Sequence, residues 1–368
     1  MAMRTQRAAV ASSPEVEAAA EELLRKGNAL DGAIAGVFAA CAISPGVLLG
    51  PVQILVGGGG SGLRAFDGRI RQPGIGAPRP RGFQPDEEVP DAARVGVPWL
   101  PATLSVAVAT AGTATFAAVM APSLALAKGS PRHEVLAKIA QRGPRAIEER
   151  PLSGELLGLA GRTSGGLLTS DDLSSQRPEV HPASRHELRG DAPRAPRSRV
   201  PSSSKKAAID EEPLPRSIIE LPWATDDGGS PVPPVGVVSI ATARAVLTVD
   251  RNGSFAIACW DEGVDGLTIG ELGLRAPFFA EPVMRGATRV RPGDARPAAA
   301  PIALVATDAG PEFAFAAFGA GDAYDVLRGA IRSVIEEDRI KVHEVHEARG
   351  DARLVALSHL LGTASVFR

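Results

Sequence analysis

Two histidines near the end of the chain have a spacing that could bind a metal ion. His343 and His346 lie beside Glu344 and Glu347, and on a helix side chains at this spacing share one face. Zinc takes imidazole ligands, but the stretch is not an H-E-x-x-H motif and no third ligand is apparent. We therefore interpret it as a solvated polar stretch, and we predict no metal and no other cofactor.

Thr242 is the candidate nucleophile. A hydroxyl nucleophile needs a base beside it, or it must be the first residue of a chain whose own amine serves as the base. The sequence has no G-x-S-x-G motif, and the Ser/Lys run at residues 202–206 lies in a polar segment that we expect to be solvated. Thr242 and Ser239 lie at the edge of a predicted strand, just after a Pro-rich segment, where self-cleavage of a precursor would expose a new N-terminus. The alternative is an ordinary strand residue, since Thr and Ser are common in strands.

Four consecutive glycines at residues 57–60 invite comparison with a phosphate-binding loop. No Lys-Ser or Lys-Thr follows them, and the spacing of a dinucleotide fingerprint is absent. We therefore predict a close-packed turn between two strands.

The overall composition excludes several classes of protein. With 40 Lys and Arg against 42 Asp and Glu, the chain lacks the basic surplus of a nucleic-acid binder, and 4% aromatic residues argue against base stacking. Two cysteines, Cys41 and Cys259, exclude a disulfide framework. No apolar run is long enough to span a membrane and no signal peptide is evident, so we expect a cytoplasmic protein without membrane partners.

The elements that must position these residues follow from hydrophobic periodicity. Residues 14–42 predict a helix pair or one long helix, and helices are also predicted at 104–128, 133–142 and 323–336. Strands are predicted at residues 52–56, 63–66, 235–240, 245–249, 255–260, 302–306 and 313–318, and the tail at 353–366 as a strand or a helix. Asp67-Gly68, residues 250–253 and residues 308–310 predict hairpin turns. Helices first and strands later indicate an α+β fold.

Several motifs, in order along nearly the whole chain, resemble those of gamma-glutamyltranspeptidases. Residues 10–14 followed by 27–35, which read VASSP and GNALDGAIA, resemble the family's opening, and residues 165–173 and 249–253 match later motifs. The resemblance implies an N-terminal-nucleophile hydrolase fold, a four-layer αββα sandwich. It also implies a precursor that is cut ahead of a threonine, and transfer or hydrolysis of gamma-glutamyl amides.

The resemblance also implies a division of the chain. Residues 1–176 correspond to the family's large-subunit part, and residues 235–368 to its small-subunit part in the same domain. Between them, residues 177–234 are rich in Pro, Arg and Ser and lose hydrophobic periodicity, so we predict a poorly ordered linker there.

The catalytic positions depart from the family's pattern. We take Asp250 as the counterpart of the family's hairpin aspartate. The family's Thr-Thr-His motif, which begins with the nucleophile, then aligns with Ala243, Arg244 and Ala245. A hydroxyl would lie at the nucleophile position only if the alignment shifted by one residue, to Thr242. In a strand such a shift turns the side chain to the other face unless a bulge absorbs it. The Thr-x-Asn that supports the nucleophile aligns with residues 261–263, which begin with Asp261.

The substrate-binding positions depart as well. The serines that bind the substrate carboxylate are replaced by residues 298–300, which are all alanine, and the oxyanion loop reads Gly319, Ala320, Gly321 and Asp322. A carboxylate there would repel the oxyanion that N–H donors should stabilise. The family's carboxylate-binding arginine falls near Ile75, and Arg79 or Arg71 could replace it only by a shift.

Losses in different parts of one mechanism favour a protein that has lost its activity, stays unprocessed and serves as a structural or regulatory subunit with other protein subunits. The alternative is an active amide hydrolase or acyltransferase that uses Thr242 after self-cleavage, with altered specificity. A further hypothesis is a binding module for a small molecule, with Asp261, Glu262 and Asp322 as polar contacts. We expect a small amide or amino-acid-like ligand at Arg79, Asp261, Gly319, Gly321 and Asp322.

Overall fold

The computed structural model describes residues 6–60, 62–187, 215–224, 232–233, 235–236, 241–319, 323–337 and 352–368. The helices are α1 Pro14–Leu24, α2 Ala29–Ile43, α3 Leu100–Ala111, α4 Phe116–Ala127, α5 Arg132–Arg142, α6 Leu152–Ala160, α7 Ser170–Ser174 and α8 Ala323–Glu337. The strands are β1 Ala8–Ala11, β2 Val52–Gly57, β3 Arg64–Gly68, β4 Glu179–Pro182, β5 Ser184–Glu187, β6 Ser217–Glu220, β7 Ala243–Val249, β8 Phe255–Asp261, β9 Gly266–Ile269, β10 Leu274–Pro277, β11 Ile302–Thr307, β12 Gly310–Phe318, β13 Arg353–Leu360 and β14 Thr363–Phe367.

Two antiparallel sheets form the centre of the molecule. The first has the strand order β1-β7-β8-β2-β3-β4, and the second has the order β14-β13-β12-β11-β6-β5. A core of alternating side chains from both sheets, among them Leu55, Ile257, Leu304 and Leu357, fills the space between them. The interior strands are buried on both faces, which explains why they read as continuous apolar runs.

Helices cover the outer faces of both sheets. On the first sheet, α2 is buried nearly all round and contacts α1, α4, β7 and β8. Its small residues permit this close approach: a Cβ at Gly36 would lie 3.2 Å from side-chain atoms of both Val16 and Val246. On the second sheet, α8 packs against β11, β12 and β13. The layers are therefore α, β, β and α, as the family resemblance predicts.

Residues 14–42 form a pair of helices and not one long helix. Ser13 caps α1 by accepting a hydrogen bond from the Val16 N–H. Asn28 caps α2, and Asp31 completes a capping box with it. The hairpins β7–β8 and β11–β12 are also confirmed, and the tail forms the hairpin β13–β14.

Three sequence predictions differ from the structure in the described residues. The described part of the predicted linker at residues 177–234 contains β4, β5 and β6, and residues 188–214 lie outside the described residues. Only Ala183 separates β4 from β5, so the chain crosses there from one sheet to the other. Periodicity misses them because each strand has only four residues. Asp67-Gly68 does not turn a hairpin: β3 ends at Gly68, and its hairpin partner is the preceding strand β2. Val235 and Gly236 form a turn and not the start of a strand.

Several predicted positions lie outside the described residues. They are the Ser/Lys run at 202–206, Ser239, Gly321, Asp322, and the histidines at 343 and 346.

Candidate active site

Thr242 and Asp261 lie side by side at one end of the first sheet. Thr242 directly precedes β7, and the first residue of that strand, Ala243, is paired with Asp261 at the end of β8. The Thr242 hydroxyl donates to Oδ2 of Asp261 at 2.5 Å, and the Glu262 N–H donates to the Thr242 carbonyl oxygen at 3.1 Å. Two residues predicted from the sequence for separate roles are therefore hydrogen-bonded to each other.

The strand register explains how Thr242 reaches this position. Thr242 lies in a turn outside β7, so its side chain is not bound to the alternation of a strand. Ala243, in the strand, has the position that the resemblance gives to the nucleophile. Its methyl group is buried in the core between the two sheets. The position that the resemblance assigns to the nucleophile thus has no hydroxyl, and the residue before it, Thr242 in the turn, has one.

The carboxyl group of Asp261 is almost fully buried, with 7% of the residue exposed. Burial raises its pKa above the ordinary aspartate value, although hydrogen bonds from the Thr242 hydroxyl and the Gly263 N–H, and the charge of Arg244, act in the opposite direction. The Gly263 N–H donates to Oδ1 at 2.7 Å. Arg244 itself forms an ion pair with Glu262 at 2.9 Å. A carboxyl with a raised pKa beside a hydroxyl is a pair that could exchange a proton.

A buried amide, Gln53, organises the polar region next to this pair. Gln53 lies opposite Cys259 on β8, and Cys259 is on the same face of the strand as Asp261. The Nε2 of Gln53 donates to the carbonyl oxygens of Ala298 at 3.2 Å and Ala299 at 3.4 Å. The Oε1 of Gln53 accepts from the Trp223 indole N–H at 2.6 Å. Ala298 and Ala299, at positions that the resemblance assigns to carboxylate-binding serines, are thus held through their carbonyl groups.

Two arginines adjoin Gln53 through Asp67, which is paired with Gln53 across β2 and β3. Arg69 makes two hydrogen bonds to the Asp67 carboxylate at 2.9 and 2.8 Å, and Arg71 makes one at 3.0 Å. Burial alone would raise the pKa of Asp67, but the hydrogen bonds and charge of Arg69 and the charge of Arg71 bring it below its usual value. The Arg69 guanidinium lies 4.6 Å from the ring centre of Trp223.

Sequence reasoning missed this cluster of Gln53, Asp67, Arg69 and Trp223. A usable signal was present, because charged residues recur at every second position, 67, 69 and 71, directly after the predicted strand at 63–66. Trp223 could not be found in this way, since it lies in the segment predicted to be a linker. Arg71, predicted as a replacement for the carboxylate-binding arginine, is 6% exposed and binds Asp67.

Arg79 and Gly319 are not brought to the Thr242–Asp261 pair by any described contact. Arg79 is exposed and lines a separate cleft, which neither Thr242, Asp261 nor Gly319 lines. Gly319 directly follows β12, and its positive φ of 113° suits glycine.

The aspartates of the matching motifs stabilise the fold. Asp31 accepts hydrogen bonds from the backbone of Asn28, Thr113 and Ala114 and from the Thr113 hydroxyl. Asp250 accepts from the N–H groups of Asn252 and Ser254 in the β7–β8 turn and of Ala29 at the start of α2. Residues that carry the family resemblance therefore hold loops and helix ends in place.

Within the described residues, no group of three or more His, Cys, Asp and Glu side chains could hold a metal ion. No helix in this part of the chain is long and apolar enough to cross a membrane.

Comparison with known proteins gives similarity in structure alone. No protein-family model matches the sequence, and no curated protein matches it. Among solved structures, LmbA2991 aligns over 99% of this chain and 96% of its own, with a TM-score of 0.71 and 13% identity. The cephalosporin acylase of Bacillus halodurans aligns over the same shares with a TM-score of 0.64 and 13% identity. The gamma-glutamyltranspeptidase of Helicobacter pylori covers 52% of this chain and 69% of its own, with a TM-score of 0.42 and 17% identity.

Two facing sheets lie between two helical layers, and the alignments with LmbA2991 and the cephalosporin acylase extend over nearly the whole chain. The chain has the N-terminal-nucleophile hydrolase fold.

Proposed function

We propose that this protein is a gamma-glutamyltranspeptidase-like protein without hydrolytic activity, which stays unprocessed and serves as a structural or regulatory subunit. The observation that carries the proposal is Ala243. It has the strand position at which the resemblance expects the nucleophile, it pairs with Asp261, and its methyl group is buried between the sheets. Without a hydroxyl or thiol at this position, the covalent acyl-enzyme step has no nucleophile there.

The distribution of retained residues supports the same proposal. Asp31 and Asp250 are kept and bind backbone groups that shape the scaffold. The residues at the substrate carboxylate, 298–300, have instead become alanines that interact through their carbonyl groups. A chain that keeps the stabilising residues and loses the reactive ones fits a role that depends on the fold.

One observation favours the alternative, an amide hydrolase or acyltransferase that uses Thr242. The Thr242 hydroxyl is hydrogen-bonded to a carboxyl whose pKa is raised by burial. In self-cleavage, the hydroxyl oxygen would attack the carbonyl carbon of Ala241 while Asp261 takes its proton. The peptide C–N bond would break as its nitrogen becomes the free amine of Thr242, and water would hydrolyse the resulting ester. The new amine would then be the base for turnover.

The mass of the purified full-length chain distinguishes the two functions. For the wild-type protein we expect one intact species after prolonged incubation at neutral pH, and the same for Thr242→Ala and for Thr163→Ala, a control at an exposed threonine. Cleavage between residues 241 and 242 in the wild type and Thr163→Ala, but not in Thr242→Ala, would overturn the proposal in favour of the alternative.

Two further measurements test the remaining parts of the proposal. Turnover of a gamma-glutamyl anilide and of a simple acyl anilide should not exceed that of the Thr242→Ala protein. When the tagged chain is purified from its native cells, a second protein should co-purify in a fixed ratio. A chain that is recovered alone, with the mass of a free monomer in light scattering, would contradict the subunit role.

A further inference from the structure

A second cleft lies between two loops, apart from the Thr242–Asp261 pair. Residues 75–83 form one wall, residues 165–171 form the other, and Ala93, Arg162 and Val283 complete the lining. Its volume is about 770 Å³, which is within the usual size of pockets for small organic molecules. The cleft can therefore take a ligand of several carbon atoms.

The two walls are joined by hydrogen bonds within the chain. The buried Asp172 carboxylate accepts hydrogen bonds from the N–H groups of Gly74, Ile75 and Thr169, each at 2.9 Å. The Thr169 hydroxyl donates to the Ile75 carbonyl oxygen, also at 2.9 Å. Because one carboxylate connects both loops, a ligand would not have to order them, and that lowers the free-energy cost of binding.

The walls of the cleft are mostly apolar. Ile75, Phe83, Leu168 and Val283 are among the lining residues, together with two prolines at 78 and 80. Such a lining favours a ligand with a hydrocarbon body, since burial of apolar surface is favourable.

The charged groups of the cleft are predominantly positive. Three arginines line it, against a single carboxylate, Asp171, among the described residues. Arg81 is paired with Glu87. Arg79 and Arg162 are exposed, and in the described part of the chain neither forms an ion pair. Two guanidinium groups are therefore available at the edge of an apolar pocket.

We propose that this cleft binds a small amphipathic carboxylate, an apolar body with one anionic end. The body would lie against Ile75, Phe83 and Val283, and Arg79 and Arg162 would bind the carboxylate. The planar guanidinium fork matches a carboxylate and forms charge-assisted hydrogen bonds, which are stronger than those between neutral groups. This site is separate from Thr242 and does not depend on whether the chain is cleaved.

Calorimetric titration of the full-length protein with octanoate tests the proposal, with octanamide as the neutral probe of similar shape. We expect octanoate to bind and octanamide to bind at least about tenfold more weakly, because the amide has no charge for the arginines. The double variant Arg79→Gln/Arg162→Gln should weaken octanoate binding by about tenfold or more. Arg251→Gln, at an exposed arginine in the β7–β8 turn, removes a similar charge elsewhere and should leave octanoate binding unchanged.

A second measurement keeps the test independent of folding. Arg79 and Arg162 are exposed, so the double variant should unfold at the same temperature as the wild type when octanoate is absent. A variant with normal unfolding and wild-type octanoate affinity would overturn the proposal. Equal affinity for octanoate and octanamide would overturn it as well, and so would the absence of octanoate binding to the wild type.

Discussion

The Thr242 hydroxyl donates a hydrogen bond to the Asp261 carboxyl group at 2.5 Å. Thr242 directly precedes Ala243, the residue that is paired with Asp261 in the sheet. Asp261 also receives the Gly263 N–H, so both of its oxygens are hydrogen-bonded. Burial nevertheless raises its pKa, because the loss of hydration outweighs these two donors and the charge of Arg244. The raised pKa of Asp261 therefore makes the stability of the protein depend on pH, whether or not the pair is catalytic.

The first prediction is that the free energy of unfolding of Asp261→Asn, relative to that of the wild type, increases as the pH rises. A carboxyl whose pKa is raised in the folded protein contributes stability below its unfolded pKa, about 4, and loses that contribution as the pH rises through the folded value. The neutral amide does not suffer this loss. Its oxygen can accept from Gly263, while its NH₂ group donates to Thr242. Urea unfolding should show that the free energy of unfolding of the variant, relative to that of the wild type, is larger at pH 7 than at pH 4.

Asp86→Asn controls for the removal of a negative charge, because Asp86 is exposed. A stability difference between Asp261→Asn and the wild type that falls toward pH 7 would contradict the raised pKa of Asp261.

The second prediction concerns Asp31 as a stabilising residue. Its carboxylate is fully buried and accepts hydrogen bonds from Asn28, Thr113 and Ala114. Asp31→Ala leaves several partly buried donors without this acceptor, at up to about 1–3 kcal/mol for each such group. Urea unfolding should show a loss of about 3–5 kcal/mol, at the upper end for single substitutions. Asp86→Ala, at the exposed position, should change the free energy of unfolding by less than about 0.5 kcal/mol.

The sequence predicts the helices and the long strands of this fold, and the reasons are local. The start of α1 has a capping side chain at Ser13 and a proline in its first turn, signals that need no information beyond the neighbouring residues. The apolar runs of β7, β8, β11 and β12 are long enough to be recognised. The four-residue strands β4, β5 and β6 are not, because their pairing is determined by distant residues.

The candidate site is less predictable, since it depends on contacts between distant segments. Thr242 and Asp261 could be singled out from the sequence, but their hydrogen bond follows from the register of β7 and β8. The contact of Trp223 with Gln53 joins residues that are 170 positions apart. Neither residue has a local pattern that indicates the other.

The third prediction is that both cysteines are inert in the folded protein. Cys41 lies in α2 and Cys259 in β8, and both are buried. Burial raises the pKa of each thiol, so the reactive thiolate is scarce as well as inaccessible. A disulfide reagent at mildly alkaline pH should label neither cysteine in the native protein and both in urea. Thr163→Cys, at an exposed position, should be labelled rapidly under native conditions. Rapid labelling of the native wild type would contradict the burial of both thiols.

The fourth prediction uses two glycines with opposite surroundings. A Cβ at Gly46 would lie 2.4 Å from the carbonyl oxygens of Glu262 and Gly263, so Gly46→Ala must displace the segment whose N–H holds Asp261. A Cβ at Gly158, inside α6, would have no heavy atom within 4 Å apart from the nearby backbone of its own helix. Gly46→Ala should lower the free energy of unfolding by about 1–3 kcal/mol. Gly158→Ala should raise it by about 0.5–1 kcal/mol, because alanine favours helix and restricts the unfolded chain.

Urea unfolding of the two variants under identical conditions measures both effects. The pH dependence of the unfolding free energy of Gly46→Ala then tests whether residue 46 affects Asp261. If the displaced segment withdraws the Gly263 N–H, Asp261 loses a hydrogen bond that lowers its pKa. Its pKa should then rise further in the folded variant, so the cost of Gly46→Ala should be larger at pH 7 than at pH 4. If the added methyl group only disturbed packing and left the Gly263 N–H in place, the loss of unfolding free energy in Gly46→Ala would be the same at both pH values. That result would contradict the link between residue 46 and the pKa of Asp261.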